Sequence, residues 1–110
     1  MTARRAAGQV PAPRASRADA VLELVDSIPR GQVMTYGDVA QHLGIPSARI
    51  VGQVLKSRGG AVPWHRVVLS TGSVAAHLAD RQLALLHKDG IDVSHGRVAL
   101  RQYRWRPAGD

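Results

Sequence analysis

Thr35-Tyr36-Gly37-Asp38-Val39-Ala40-Gln41-His42-Leu43-Gly44-Ile45-Pro46-Ser47-Ala48-Arg49-Ile50-Val51-Gly52-Gln53-Val54-Leu55-Lys56-Ser57-Arg58 reads as two short helices joined by a tight turn. Thr35 precedes Asp38 by three residues, the spacing of an N-terminal capping signal. Val39, Ala40 and Leu43 then share a face with Tyr36. Gly44-Ile45-Pro46 turns the chain, and Ser47 is placed to cap a helix running to about Arg58. Ile50, Val51, Val54 and Leu55 give that helix a core face, while Arg49, Gly52, Gln53 and Lys56 recur at i, i+3, i+4 and i+7 on the other side. So tight a link between helices predicts a helix-turn-helix. A face of cations, an amide and a glycine suits close approach to a nucleic-acid groove, although taken alone it is also an ordinary solvated face.

Working outward, Ser16 with Asp19 predicts the start of an earlier helix, and Val21, Leu24, Val25 and Ile28 form its apolar stripe. Pro29 and Gly31 stop it, leaving Gln32 to Met34 as a short extended link. Downstream, Arg58-Gly59-Gly60 ends the third helix. Pro63-Trp64-His65-Arg66 leads into a strand at Val67-Val68-Leu69, followed by a turn at Ser70-Thr71-Gly72-Ser73. A fourth helix over about 79–89 places Ala79, Leu83 and Leu86 on one side. Ile91 and Val93 are expected to pair with Val98 and Leu100 across Ser94-His95-Gly96. Residues 1–15, rich in Ala, Pro, Gly and Arg, read as a flexible basic N-terminal tail. Residues 16–106 read as a single small domain, mainly α with short β strands.

With 110 residues, one core is the expectation. Fifteen Lys and Arg stand against eight Asp and Glu, a formal net charge of +7 that points to an anionic partner. All of the basic residues except Lys56 and Lys88 are arginine, suited to bidentate phosphate contacts and stacking. No run approaches the roughly 20 apolar residues of a transmembrane helix. The N-terminal segment lacks an apolar secretory core, so a cytoplasmic location is expected, with nucleoid association in a bacterial cell. No His/Cys pairing has zinc spacing, and no metal or cofactor is expected. Cysteine is absent altogether.

Three stretches occur in the order found in the O6-alkylguanine-DNA alkyltransferases. Residues 28–40, Ile-Pro-Arg-Gly-Gln-Val-Met-Thr-Tyr-Gly-Asp-Val-Ala, resemble the entry to that family's DNA-binding helices. Ala48-Arg49-Ile50-Val51-Gly52 resembles its recognition helix, and Pro63-Trp64-His65-Arg66-Val67-Val68 its active-site loop, with Trp64 where the reactive cysteine would stand. The closing Tyr103-Arg104-Trp105 resembles the ending of the alkyltransferase-like branch, which lacks that cysteine. The resemblance spans about residues 28–86 and then weakens until this closing segment. No asparagine matches the family's upstream relay residue, since Ser57-Arg58-Gly59-Gly60-Ala61-Val62 precedes Pro63.

The resemblance implies a winged helix-turn-helix whose recognition helix enters the minor groove while the modified guanine is turned out of the stack. On this expectation Arg49 fills the gap left by the flipped base, and Tyr36 presses on the neighbouring phosphate. Gly52 lets the helix backbone approach the sugar-phosphate wall, while Ser47, Gln53 and Lys56 are phosphate-contact candidates. Trp64 offers the extruded base a flat wall, a stack worth roughly 1–3 kcal/mol. His65, which in active members assists a thiol, keeps a structural or hydrogen-bonding part in the pocket, and Arg66 braces the loop. Val74 is a further pocket candidate, with Ser73 and His77 beside it.

Alkyl transfer needs a polarizable nucleophile that becomes a lasting acceptor, a task for a thiolate and not for an indole. The expected function is therefore non-enzymatic: a monomer that recognises O6-alkylguanine in double-stranded DNA by nucleotide flipping and directs the lesion to nucleotide excision repair proteins. Two rivals stand beside it. One is a winged-helix transcription factor reading undamaged DNA, which leaves Pro63-Trp64-His65-Arg66 unexplained. The other is a glycosylase using Asp38 or Asp80, neither of which a motif places at a pocket.

Overall fold

Helix α1 (Ala12–Asp26) opens the computed structural model, which describes residues 12–107 and, from Arg17 onward, their side chains. It begins at Ala12 rather than at Ser16. Pro13 falls in its first turn, where a fixed φ suits the helix and a missing N–H costs no intrahelical bond. Ser16 therefore lies inside the helix instead of capping it. Residues 1–11 of the expected tail lie outside the described residues. The predicted stripe packs inward, with Val21, Val25 and Ile28 fully buried and Leu24 partly so.

The helix-turn-helix forms as its sequence dictates. Helix α2 (Tyr36–Leu43) carries the reciprocal cap: Asp38 N–H donates to Thr35 Oγ1 at 2.9 Å, and Thr35 N–H donates to Asp38 Oδ2 at 3.1 Å. Gly44 ends the helix with φ 70°, a left-handed conformation that a Cβ would strain. Buried Ile45 pins the turn to the core, and α3 (Ala48–Arg58) starts at Ser47, whose hydroxyl accepts from Arg49 N–H at 3.1 Å. Val51 is fully buried, with Ile50, Val54 and Leu55 packed around the same core.

The strands tie distant segments to this unit. Strand β1 (Met34–Thr35) pairs in parallel with β2 (Val67–Val68), Met34 opposite Val67 and Thr35 opposite Val68. The link expected at Gln32 to Met34 is thus partly a strand, and Leu69 falls outside β2. Helix α4 (Ala79–Lys88) follows, and then an antiparallel hairpin, β3 (Val93–Ser94) with β4 (Arg97–Val98). His95 and Gly96 at its turn have φ 54° and 73°, the pair of positive values that a two-residue turn of this hand requires. The hairpin is shorter than expected. Ile91 is buried in a second core with Val33, Val68, Leu86 and Val98, and Leu100 instead opens the short helix α5 (Leu100–Tyr103).

The closing segment returns to β1: Val33 N–H donates to Tyr103 O at 2.8 Å and Trp105 N–H to Val33 O at 2.7 Å. Arg104 grips Asp38 with two bonds of 2.9 and 2.8 Å, and Trp105 packs on the first core. Burial alone would raise the Asp38 carboxyl pKa, but the Arg104 and Thr35 hydrogen bonds bring it below its ordinary value. The result is a small, mainly helical domain with short strands, organised around a helix-turn-helix. Among the described residues no helix is long and apolar enough to cross a membrane.

Candidate nucleic-acid interface

The outer face of α3 borders a cleft of about 660 Å³, within the range of small-molecule sites. Tyr36 from α2 and Arg49, Gly52, Gln53 and Lys56 from α3 form one side; Trp64, Leu69 and, from the α4 region, Leu78 and Arg81 form the other. Its cations are Arg49, Lys56 and Arg81, and among the described residues no carboxylate lines it. Nor does Arg49 or Lys56 have an ion-pair partner among the described residues. Unpaired cations on a concave wall concentrate positive potential where an anion would enter.

Gly52 gives this wall its shape. A Cβ built there would lie 4.0 Å from Tyr36 Cε1, ordinary contact, so the helix itself tolerates a side chain and the missing one leaves the groove open. Partial burial raises the Tyr36 phenol pKa above its ordinary value, keeping it a neutral donor at physiological pH. Trp64 sits on a single 3-10 turn (Trp64–Arg66) with the Arg81 guanidinium carbon 5.6 Å from its ring centroid, a cation-π contact.

The turn is braced from behind. Asp89, just past α4, accepts from Arg66 Nε at 2.7 Å and Nη2 at 3.0 Å, and from His65 Nε2 at 2.9 Å. Arg66 Nη1 also donates to Ile28 O at 3.0 Å, joining the turn to the segment that follows α1. Burial alone would raise the Asp89 carboxyl pKa, but the Arg66 and His65 bonds lower it below its ordinary value. Burial lowers the His65 pKa, the Asp89 bond offsetting only part, so the ring is neutral and its Nε2–H donates to the carboxylate.

The structure brings Tyr36, Arg49, Gly52, Gln53, Lys56 and Trp64 to one cleft. It does not bring His65 there: the ring stands at 88° to that of Trp64, does not line the cleft and is buried on Asp89. Val74 also departs from expectation, packing on the second core, because the turn before it is fixed by Gly72 against β4. Ser47 caps α3 beside the cleft without lining it. His77 does line it, whereas Ser73 pairs with Arg97 of the hairpin. Leu69, Leu78 and Arg81 are cleft residues that sequence reasoning missed. Leu69 is 41% exposed, the one large exposed hydrophobic residue among those described, but as the third apolar residue of Val67-Val68-Leu69 it reads as strand. Among the described residues no cluster of His, Asp or Glu is set to hold a metal ion.

A helix-turn-helix whose second helix shares a cationic cleft with an aromatic turn places the chain among the helix-turn-helix domains. More narrowly, it belongs to the family of the 6-O-methylguanine DNA methyltransferase DNA-binding domain, whose model matches residues 16–91. Over 93 residues it is 40% identical to a DNA base-flipping protein of Vibrio parahaemolyticus, covering 79% of this chain and 93% of that one. It is 35% identical over 99 residues to alkyltransferase-like protein 1 of Schizosaccharomyces pombe, covering 79% and 92%. The solved structure of S. pombe Atl1 in complex with damaged DNA containing O6-carboxymethylguanine superposes with a TM-score of 0.77 at 32% identity, covering 84% of this chain and 97% of that one.

Proposed function

We propose that the chain recognises O6-alkylguanine in double-stranded DNA, turns the lesion nucleotide into the Trp64 cleft and holds it there without repair. The observation that carries this reading is the convergence of an indole and of cations without ion-pair partners among the described residues on one cleft large enough for a base, in a chain with no cysteine. The relatives named for base flipping and the damaged-DNA complex of Atl1 support it. In this arrangement Lys56 and the α3 backbone at Gly52 track phosphates, Arg49 enters the stack in place of the extruded base, and Tyr36 presses on the adjoining phosphate. Trp64 stacks on the base. Because an indole makes no lasting bond to an alkyl group, the lesion stays on the DNA, and the complex serves as a mark for nucleotide excision repair.

The rival readings fit the site less well. A domain reading undamaged sequence has no occupant for the Trp64 cleft. A glycosylase needs a carboxylate at the base, yet Asp38 is held by Arg104 and Thr35, and Asp80 lies outside the cleft. One chain supplies every element of the cleft, which supports a monomer as the acting species.

Fluorescence anisotropy with matched duplexes carrying guanine or O6-methylguanine, at fixed and stated salt, tests the proposal. Tighter binding to the lesion is expected, and Trp64→Ala should remove about 1–3 kcal/mol of that preference. Equal affinity for the two duplexes overturns it.

A further inference from the structure

The buried polar residue that this site leaves unused is Gln82, 1% exposed within α4. It lies four residues before fully buried Leu86 and so shares the inner face of the helix. A primary amide there is costly unless it is hydrogen-bonded. Its Nε2 donates to His65 O and to Val67 O, each at 3.0 Å. Reversing the amide would set Oε1 against two carbonyl oxygens, so the bonding fixes its orientation. Oε1 itself has no partner among the described residues. An apolar side chain would fill the space without that unmet acceptor, which makes the two donated bonds the reason for an amide at this position.

Those carbonyls belong to the Trp64–Arg66 turn and to the first residue of β2. Among the described residues strand β2 has a neighbouring strand on one side only, and groups turned the other way need a partner from outside the sheet. Asp89 holds the same turn by the side chains of His65 and Arg66; Gln82 holds its backbone. We infer that Gln82 is the positioning residue for the Trp64 wall: its amide clamps the carbonyls on either side of Arg66 and fixes the turn that presents the indole to the cleft. This rests on the reading of Trp64 as the wall for an extruded base.

The clamp is tested first in the unaltered protein, by NMR of side-chain amide exchange. Both Gln82 Nε2 protons should exchange at least about a hundredfold more slowly than those of exposed Gln53; equal rates overturn the clamp. Gln82→Met, close in volume and without donors, then tests its consequence. Its preference for O6-methylguanine over guanine should fall about tenfold, as a misplaced contact group predicts, while affinity for the guanine duplex stays within about twofold. A lower melting temperature with undiminished preference means a merely structural amide and overturns the positioning role. Gln82→Asn, which withdraws the amide by one methylene, gives the same reading if the methionine variant does not fold. Equal binding of both duplexes by the unaltered protein defeats the lesion reading instead, and the amide exchange still decides the clamp.

Discussion

The two sides of the Trp64 turn treat charge in opposite ways. Behind it, Arg66, His65 and Asp89 satisfy one another at 2.7–3.0 Å, with side chains between 8% and 16% exposed. In front, Arg49 and Lys56 are exposed and lack ion-pair partners among the described residues, and Arg81 rests on the Trp64 ring. Elsewhere, Asp38 engages Arg104, and Asp19 engages Arg58. These acids neutralise arginines that hold the fold and leave the cleft positive. Neighbouring residues of one turn, Trp64 and His65, thus serve different ends: one lines the cleft, the other anchors the turn that presents it.

Removing Asp89 should break the rear side most severely. Asp89→Ala leaves Arg66 and His65 without their shared acceptor and should lower unfolding free energy by about 3 kcal/mol in denaturant melts. A loss below about 1 kcal/mol would show the rear network to be dispensable. Gly72→Ala comes next. A Cβ there would lie 2.3 Å from Val98 O on a backbone with φ +88°, so a loss of about 2 kcal/mol is expected by the same melts.

Acid should act on the rear side and on the Asp38–Arg104 pair as well. The folded chain holds His65 below its ordinary 6.5, so the unfolded chain takes up that proton first, and stability should begin to fall as pH drops through about 6.5. Asp38 and Asp89 are held below their ordinary 3.8, and a second loss should follow as pH falls below that value and through their folded-state range. Thermal melts across this range check both steps; stability that rises on acidification contradicts them.

The front side should respond in binding and hardly in stability. Arg49→Ala is expected to weaken duplex binding and shift stability by no more than about 0.5 kcal/mol. Lys56→Ala should lower the salt dependence of binding by about one counterion. Gly52→Ala should raise stability slightly, by about 0.5–1 kcal/mol from helix propensity, yet its methyl should hinder close approach of DNA. A variant both more stable and equally tight in binding would remove Gly52 from the interface.

Local signals carried most of the fold. The Thr35–Asp38 cap, Gly44 and the Ser47 start depend on neighbours within a few residues, and all three take the form that their spacing predicts. The front of the cleft was legible for the same reason, since Arg49, Gly52, Gln53 and Lys56 share one helix face. What escaped depends on long-range pairing. Nothing near Gln82 announces that a helix amide meets carbonyls of residues 65 and 67, and nothing near Asp89 announces His65 and Arg66. Arg81 reads as an ordinary surface cation until the fold sets it over Trp64.

The proposed activity is retention of a lesion in the cleft without its repair. It is tested most directly by incubating the protein with an O6-methylguanine duplex, confirming the complex, and then measuring both the intact protein mass and the O6-methylguanine left in the DNA. A bound duplex, full recovery of the modified base and an unchanged protein mass are expected. A protein that gains a methyl group, or a lesion that disappears from the bound DNA, would contradict it.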